Sequence, residues 1–88
     1  MATVVIRHKV GNFDTWLKGH QDRVNAFSPL VESFKTFQDA NDPNSIAMVL
    51  EVTDLEKLAE MVNDPKLQPF KIKHTVIEPI TVSIEVAI

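Results

Sequence analysis

The sequence predicts an α+β sandwich of element order β-α-β-β-α-β, and three observations point to it. Three stretches alternate apolar and polar residues at the period of a strand, a fourth suits a strand, and two others space their apolar residues at the period of a helix. The boundaries between them carry capping or turn residues. At 88 residues the chain holds material for one core and not for a second, so residues 1–88 are read as a single domain.

Residues 2–10 come first: Ala2, Val4, Ile6, His8 and Val10 share one face, and Thr3, Val5, Arg7 and Lys9 share the other. Gly11-Asn12 ends that strand, and Asn12 is a good N-cap. Phe13, Trp16, Leu17, Val24 and Phe27 then follow helical spacings up to Pro29, with His20 at the gap in the stripe. Residues 31–38 suit a second strand, and Asp39-Ala-Asn-Asp-Pro-Asn44 is a turn by composition, which makes a hairpin with the next element. From Ser45 to Val52 the alternation returns, with Ile46, Met48, Leu50 and Val52 on one side. Thr53-Asp-Leu-Glu56 has capping-box spacing, and Leu55, Leu58, Ala59 and Val62 form a helical face that stops at Asn63-Asp64-Pro65. A further helical turn is expected within Lys66–Lys73. The last strand is read from Ile80, Val82, Ile84, Val86 and Ile88 alternating with Thr81, Ser83, Glu85 and Ala87.

This order normally forms a ferredoxin-like sandwich, with the first strand between the third and fourth and the helices on one face. One sheet face then collects Val4, Ile6, Ile46, Met48, Leu50, Ile80, Val82 and Ile84 as the core under the helices. The other carries Val5 and Val49 with Arg7, Glu51 and Glu85 and is read as free of aromatic side chains; Arg7 on a central strand is expected to pair with both acids. A half-apolar, charge-paired open face suits a second sheet, so a homodimer through the face carrying Arg7, Glu51 and Glu85 is expected. The alternative is an exposed face with salt bridges worth ~0–1 kcal/mol each.

Arg7-His8-Lys9-Val10 followed by Phe13-Asp14 and Trp16, Asp42-Pro43-Asn44 in the hairpin, Asp54-Leu55-Glu56-Lys57 opening the later helix, and Asp64-Pro65 with Leu67 beyond it span nearly the whole chain. In these features the chain resembles the dimeric α/β-barrel proteins related to the antibiotic-biosynthesis monooxygenases. The resemblance implies a dimeric α/β barrel with a cleft between helices and sheet in each protomer. Relatives of that kind include cofactor-free oxygenases of polyketide-like phenols, cyclases, isomerases and haem degraders. The Asn, Trp and helical His of the haem degraders have no counterpart here: Trp16 stands on the first helix, and no matching motif surrounds His74.

Composition narrows the chemistry. Nine Lys and Arg against twelve Asp and Glu give a net charge of −3, the wrong sign for neutralising a phosphate backbone, so no nucleic-acid partner is expected. No Cys is present, which excludes a thiolate nucleophile, a disulfide framework and Cys-ligated metal. Neither a nucleophile elbow nor a phosphate-binding glycine loop occurs. The N-terminus reads as a strand rather than a leader, no apolar run is long enough to span a membrane, and a cytoplasmic location is expected without membrane contact.

His8 is the candidate catalytic residue: strand parity turns it toward the helices, near the strand's end, where an imidazole can act as a general base near neutral pH. The competing role is a hydrogen-bonded histidine that fixes the strand-helix corner. Trp16, His20, Met48, Phe70 and His74 are the candidate ligand-binding residues. Trp16 also serves as a core anchor worth ~1.5–3 kcal/mol, His20 suits a half-buried amphipathic position, and His74 after Lys-Ile-Lys is read as solvated by default. The three histidines form no i, i+4 or HxH pair, so no metal site is expected, and no cofactor. The leading function is binding of a small apolar or aromatic metabolite in the helix-sheet cleft, with cofactor-independent monooxygenase-like or cyclase/isomerase chemistry at His8. The competing class is a non-catalytic ligand-binding or assembly protein.

Overall fold

The computed structural model describes residues 1–88. Strand β1 (Ala2–Val10) is followed by helices α1 (Phe13–Lys18) and α2 (His20–Phe27), strands β2 (Val31–Gln38) and β3 (Ser45–Val52), helix α3 (Leu55–Asn63), a 3₁₀ turn (Pro65–Leu67), helix α4 (Gln68–Lys73) and strand β4 (Val76–Ile84). The sheet is antiparallel in the order β2-β3-β1-β4, the α+β ferredoxin-like arrangement with β1 between β3 and β4.

Local chemistry accounts for the boundaries. Asn12 Oδ1 accepts from the Thr15 N–H at 3.0 Å and caps α1, and Asp54 Oδ1 does the same for Lys57 in α3 at 3.1 Å. In the hairpin, Asp39 Oδ1 accepts from the N–H groups of Asn41 and Asp42, and Asp42 Oδ1 from that of Asn44. The predicted single helix is two, broken at Gly19. A Cβ at Gly19 would lie 2.6–2.8 Å from the His74 ring, so glycine is required there for close packing of that imidazole against the backbone.

One apolar cluster forms the core, with Val4, Ile6, Trp16, Leu50, Val52 and Leu58 among its most buried members. Two expectations for the last strand change. It begins at Val76 rather than Ile80, because β4 is an edge strand that tolerates Pro79 while its register against β1 shifts between Arg7 and Lys9. It ends at Ile84: the Glu85 N–H still reaches the Thr3 carbonyl, and Val86 and Ile88, expected in the strand, lie beyond it and are exposed. Val82 and Ile84 are not core residues. They are 40 % and 50 % exposed along a groove that α3 leaves beside the edge strand. Leu17, placed on the apolar stripe, is likewise 46 % exposed.

The open face also departs from expectation. Arg7 stands opposite Ala47 on β3 and Thr81 on β4, while Glu51 stands opposite Thr3 and accepts its hydroxyl at 2.8 Å. Glu85 lies one residue past β4. Arg7 stands four positions from Thr3 along β1, about 13 Å at the strand rise, and no ion pair joins it to Glu51 or Glu85. Nor is this face free of aromatics: Phe37, opposite Ala47, is 50 % exposed. No helix is long and apolar enough to cross a membrane.

Candidate functional site

The helix-covered side of β1 delivers His8 to a break in the sheet. On β3 it faces Ile46, but on β4 the register jumps from Thr81 opposite Arg7 to Ile77 opposite Lys9, leaving Glu78, Pro79 and Ile80 to bulge beside it. A bulge of this kind re-aims side chains and opens room at a sheet edge. A cavity of about 40 Å³ lies there, with His8, Arg23, Met48, Phe70, Lys71 and His74 among its walls. That volume accommodates roughly three waters, whereas an apolar cavity that takes up benzene is about 150 Å³.

Each charged wall has a defined state. His8 is buried, and its Nδ1 lies 2.9 Å from the Lys9 carbonyl. A carbonyl only accepts, so Nδ1 carries the proton and Nε2 keeps its lone pair. Burial pushes the His8 imidazole below the usual histidine range; the Lys9 carbonyl opposes this, and the positive charge of Arg23 adds to it. His8 is therefore neutral at pH 7.

Arg23 is 3 % exposed, with its guanidinium carbon 3.9 Å from the centre of the Trp16 ring. One Nη1–H donates to His74 Nδ1 at 3.1 Å. Arginine can only donate, so His74 Nδ1 is the acceptor and its proton sits on Nε2. Burial lowers the Arg23 pKa to about 10, with Asp22 opposing, and the group remains a cation at neutral pH. Burial, together with Arg23 and more weakly Lys73, also holds His74 below the usual range, against the pull of Asp22. His74 is 2 % exposed, its ring centre 4.1 Å from that of Phe70 with the planes tilted by 46°, and seated on Gly19. The solvated position expected for His74 is thus overturned: the turn into β4 folds it inward. Thr75 adopts φ 58°, a strained value for a β-branched residue, and the turn is tied down by Gly11 N–H donating to the Thr75 carbonyl and by Thr75 Oγ1 bonding both backbone groups of Asn12.

The candidate residues fall into two groups. His8, Met48, Phe70 and His74 meet at the cavity. Trp16 lies one layer back, fully buried, carrying Arg23 on its face and His8 against its edge at 6.1 Å. His20 is half-buried and turned away, edge-on to Phe34 at 5.7 Å. Arg23 and Lys71 were missed, since charged residues default to solvent. The spacing of Arg23, seven residues after Trp16 and four before Phe27, was the available signal. Lys71 had none: its Nζ donates to the Val62 carbonyl near the end of α3 at 2.8 Å and to Glu78 at 3.2 Å, contacts that only the folded chain creates.

Among solved structures, a crystal structure of an antibiotic biosynthesis monooxygenase superposes over 100 % of this chain and 99 % of its own, with TM-score 0.69 and 21 % identity. The chain has the fold of these monooxygenases. A second such protein, described as putative, from Bordetella bronchiseptica gives TM-score 0.76 at 12 % identity over 99 % of this chain and 96 % of the other. SnoaB from Streptomyces nogalater, a cofactor-independent oxygenase, gives 0.70 at 13 % identity over 98 % and 91 %. No protein-family model matches the chain, and no curated protein matches it.

Proposed function

We propose that the cleft between helices and sheet binds a small apolar or aromatic metabolite and that His8 acts on it as a general base, in cofactor-independent monooxygenase-like or cyclase/isomerase chemistry. The observation that carries this reading is the state of His8: neutral, locked by Lys9 in the tautomer with Nε2 unprotonated, and part of the cavity wall. Nε2 takes the proton of an acidic C–H or O–H, and the electron pair left behind moves onto the substrate oxygen. SnoaB, which shares the fold, supports oxygenation by dioxygen as the following step. Met48 and Phe70 supply apolar walls, and Trp16 supports the site from behind. A ring-sized ligand requires α4 to swing outward with Phe70, and α4 is a six-residue helix at the protein's edge. His20 contributes a contact only if the opened cleft extends toward β2.

The protein is further proposed to work as a homodimer through the open sheet face, which carries Arg7, Glu51 and Glu85 and exposes Phe37 and Ile77 beside half-buried Val5 and Val49. The small volume of the closed cleft favours a second reading, a binding or assembly protein that turns nothing over.

Dioxygen uptake with anthrone, whose methylene is acidified by two rings and a conjugated carbonyl, separates the two. The wild-type protein is expected to accelerate uptake and His8→Gln to lose ~10²-fold or more, the share of a general base. Full activity in His8→Gln removes the catalytic role. Binding of anthrone without turnover selects the second reading.

A further inference from the structure

The cluster behind Phe70 is rich in donors and poor in acceptors. Arg23 Nε and Nη2, Trp16 Nε1 and His74 Nε2 are all buried and make no hydrogen bond. Arg23 is a buried cation with no carboxylate within ion-pair distance. Asp22, whose charge acts on Arg23 without pairing with it, stands 3.9 Å from His74 Nε2, on the far side of that ring from the guanidinium bond to Nδ1, with its side chain 57 % exposed. Stacking on Trp16 compensates part of the cost of burying the charge. It leaves the Nε and Nη2 hydrogens of the guanidinium unpaired, and buried donors of this kind are normally paired.

His74 holds the guanidinium in one orientation by accepting its Nη1–H, and Gly19 lets the imidazole approach closely enough to do so. The fold thus spends a glycine, a strained threonine turn and a buried histidine on fixing one unpaired cation at the wall of the cavity. A planar guanidinium with free N–H groups matches the two oxygens of a carboxylate bidentately, and it can donate to the single oxygen of an enolate.

We infer that Arg23 is the anion-binding group of the cleft, positioned by His74 and Trp16, and that the ligand carries an oxyanion on its apolar body: a carboxylate, or the enolate or phenolate that proton removal produces. This rests on the proposed binding cleft and narrows its ligand class. It also gives the two cavity groups complementary tasks, since the charge that favours a neutral His8 also stabilises the anion formed when His8 takes a proton.

The test compares 1-naphthoate with its neutral isostere 1-naphthamide, and acetate with acetamide, by calorimetry and by NMR of the Arg23 Nε–H. Naphthoate is expected to bind the wild-type protein at least tenfold more tightly than naphthamide. Arg23→Gln is expected to bring naphthoate down to the amide's level while leaving the amide unchanged, and acetate is expected to shift the Arg23 Nε–H where acetamide does not. His74→Gln, which keeps an acceptor, is expected to retain more of the naphthoate preference than His74→Leu. Equal binding of naphthoate and naphthamide overturns the anion assignment and leaves the binding cleft standing. An acetate shift without naphthoate binding keeps the anion assignment and removes the ring-sized ligand. No acetate shift and no naphthoate preference overturns the inference from the wild-type protein alone, whatever the folding of the variants.

Discussion

On the helix-covered side of the sheet Arg23 and His74 are 3 % and 2 % exposed, whereas on the open side Phe37 and Ile77 are 50 % and 48 % exposed. Polar groups are buried where water is excluded, and apolar groups stand where water reaches. Each arrangement costs stability in an isolated chain: an unpaired buried charge loses hydration that a single hydrogen bond does not restore, and exposed apolar area forgoes about 25 cal/mol per Å². The two costs call for different remedies. The proposed oxyanion ligand would complete the first face, and the proposed second copy of the chain would complete the other.

The comparison is most easily broken at Gly19. Replacing glycine by alanine at an open helical junction gains up to about 1 kcal/mol, but here the new Cβ would meet the His74 ring at 2.6–2.8 Å, so Gly19→Ala is expected to lose ~1–3 kcal/mol by overpacking. Urea denaturation checks this, and the same change made in a His74→Ala background is expected to cost much less. An equal loss in both backgrounds would show that His74 does not rest on Gly19.

A smaller effect is expected from pH. His8 and His74 both have pKa values held below the usual 6.5, chiefly by burial. As pH falls below about 6.5 the unfolded chain therefore takes up protons before the folded chain does. Stability from this source is complete above that pH and is lost as pH drops toward the folded-state values. The urea midpoint is expected to fall between pH 7 and pH 5, and the slope to flatten in a His8→Gln, His74→Gln double variant. A midpoint that stays level in the wild-type chain over this range would argue that the cluster is open to water.

The open face is expected to give the smallest change in fold stability. Phe37→Asp should alter the unfolding free energy of the isolated chain by no more than ~0.5 kcal/mol, as exposed substitutions generally do, while converting a two-chain mass to a one-chain mass in light scattering. A wild-type protein that scatters as one chain at micromolar concentration sinks the proposed dimer, and the exposed Phe37 is then ordinary surface.

Periodicity and turn residues placed β1, β2, β3 and α3 where the structure has them, because each is written locally: strand alternation at 2–10 and 45–52, an Asn/Asp/Pro turn at 39–44 and an apolar helical face from Leu55. Helix α3 is nevertheless capped by Asp54 and not by the Thr53 of the capping box, whose hydroxyl donates to the Leu30 carbonyl instead. Strand parity likewise turned His8 toward the helices. What the sequence by itself could not decide depends on partners distant along the chain. The register of β3 against β1 sets Glu51 opposite Thr3, away from Arg7, and the register of β4 shifts where Glu78, Pro79 and Ile80 bulge on an edge strand. The burial of Arg23, Lys71 and His74 arises only when α2, α4 and the Thr75 turn close over the same end of the sheet. A charged residue's local signal is for solvent, so tertiary contacts alone reveal that Trp16 supplies the face of an aromatic ring and that a histidine 51 residues away accepts the Arg23 N–H.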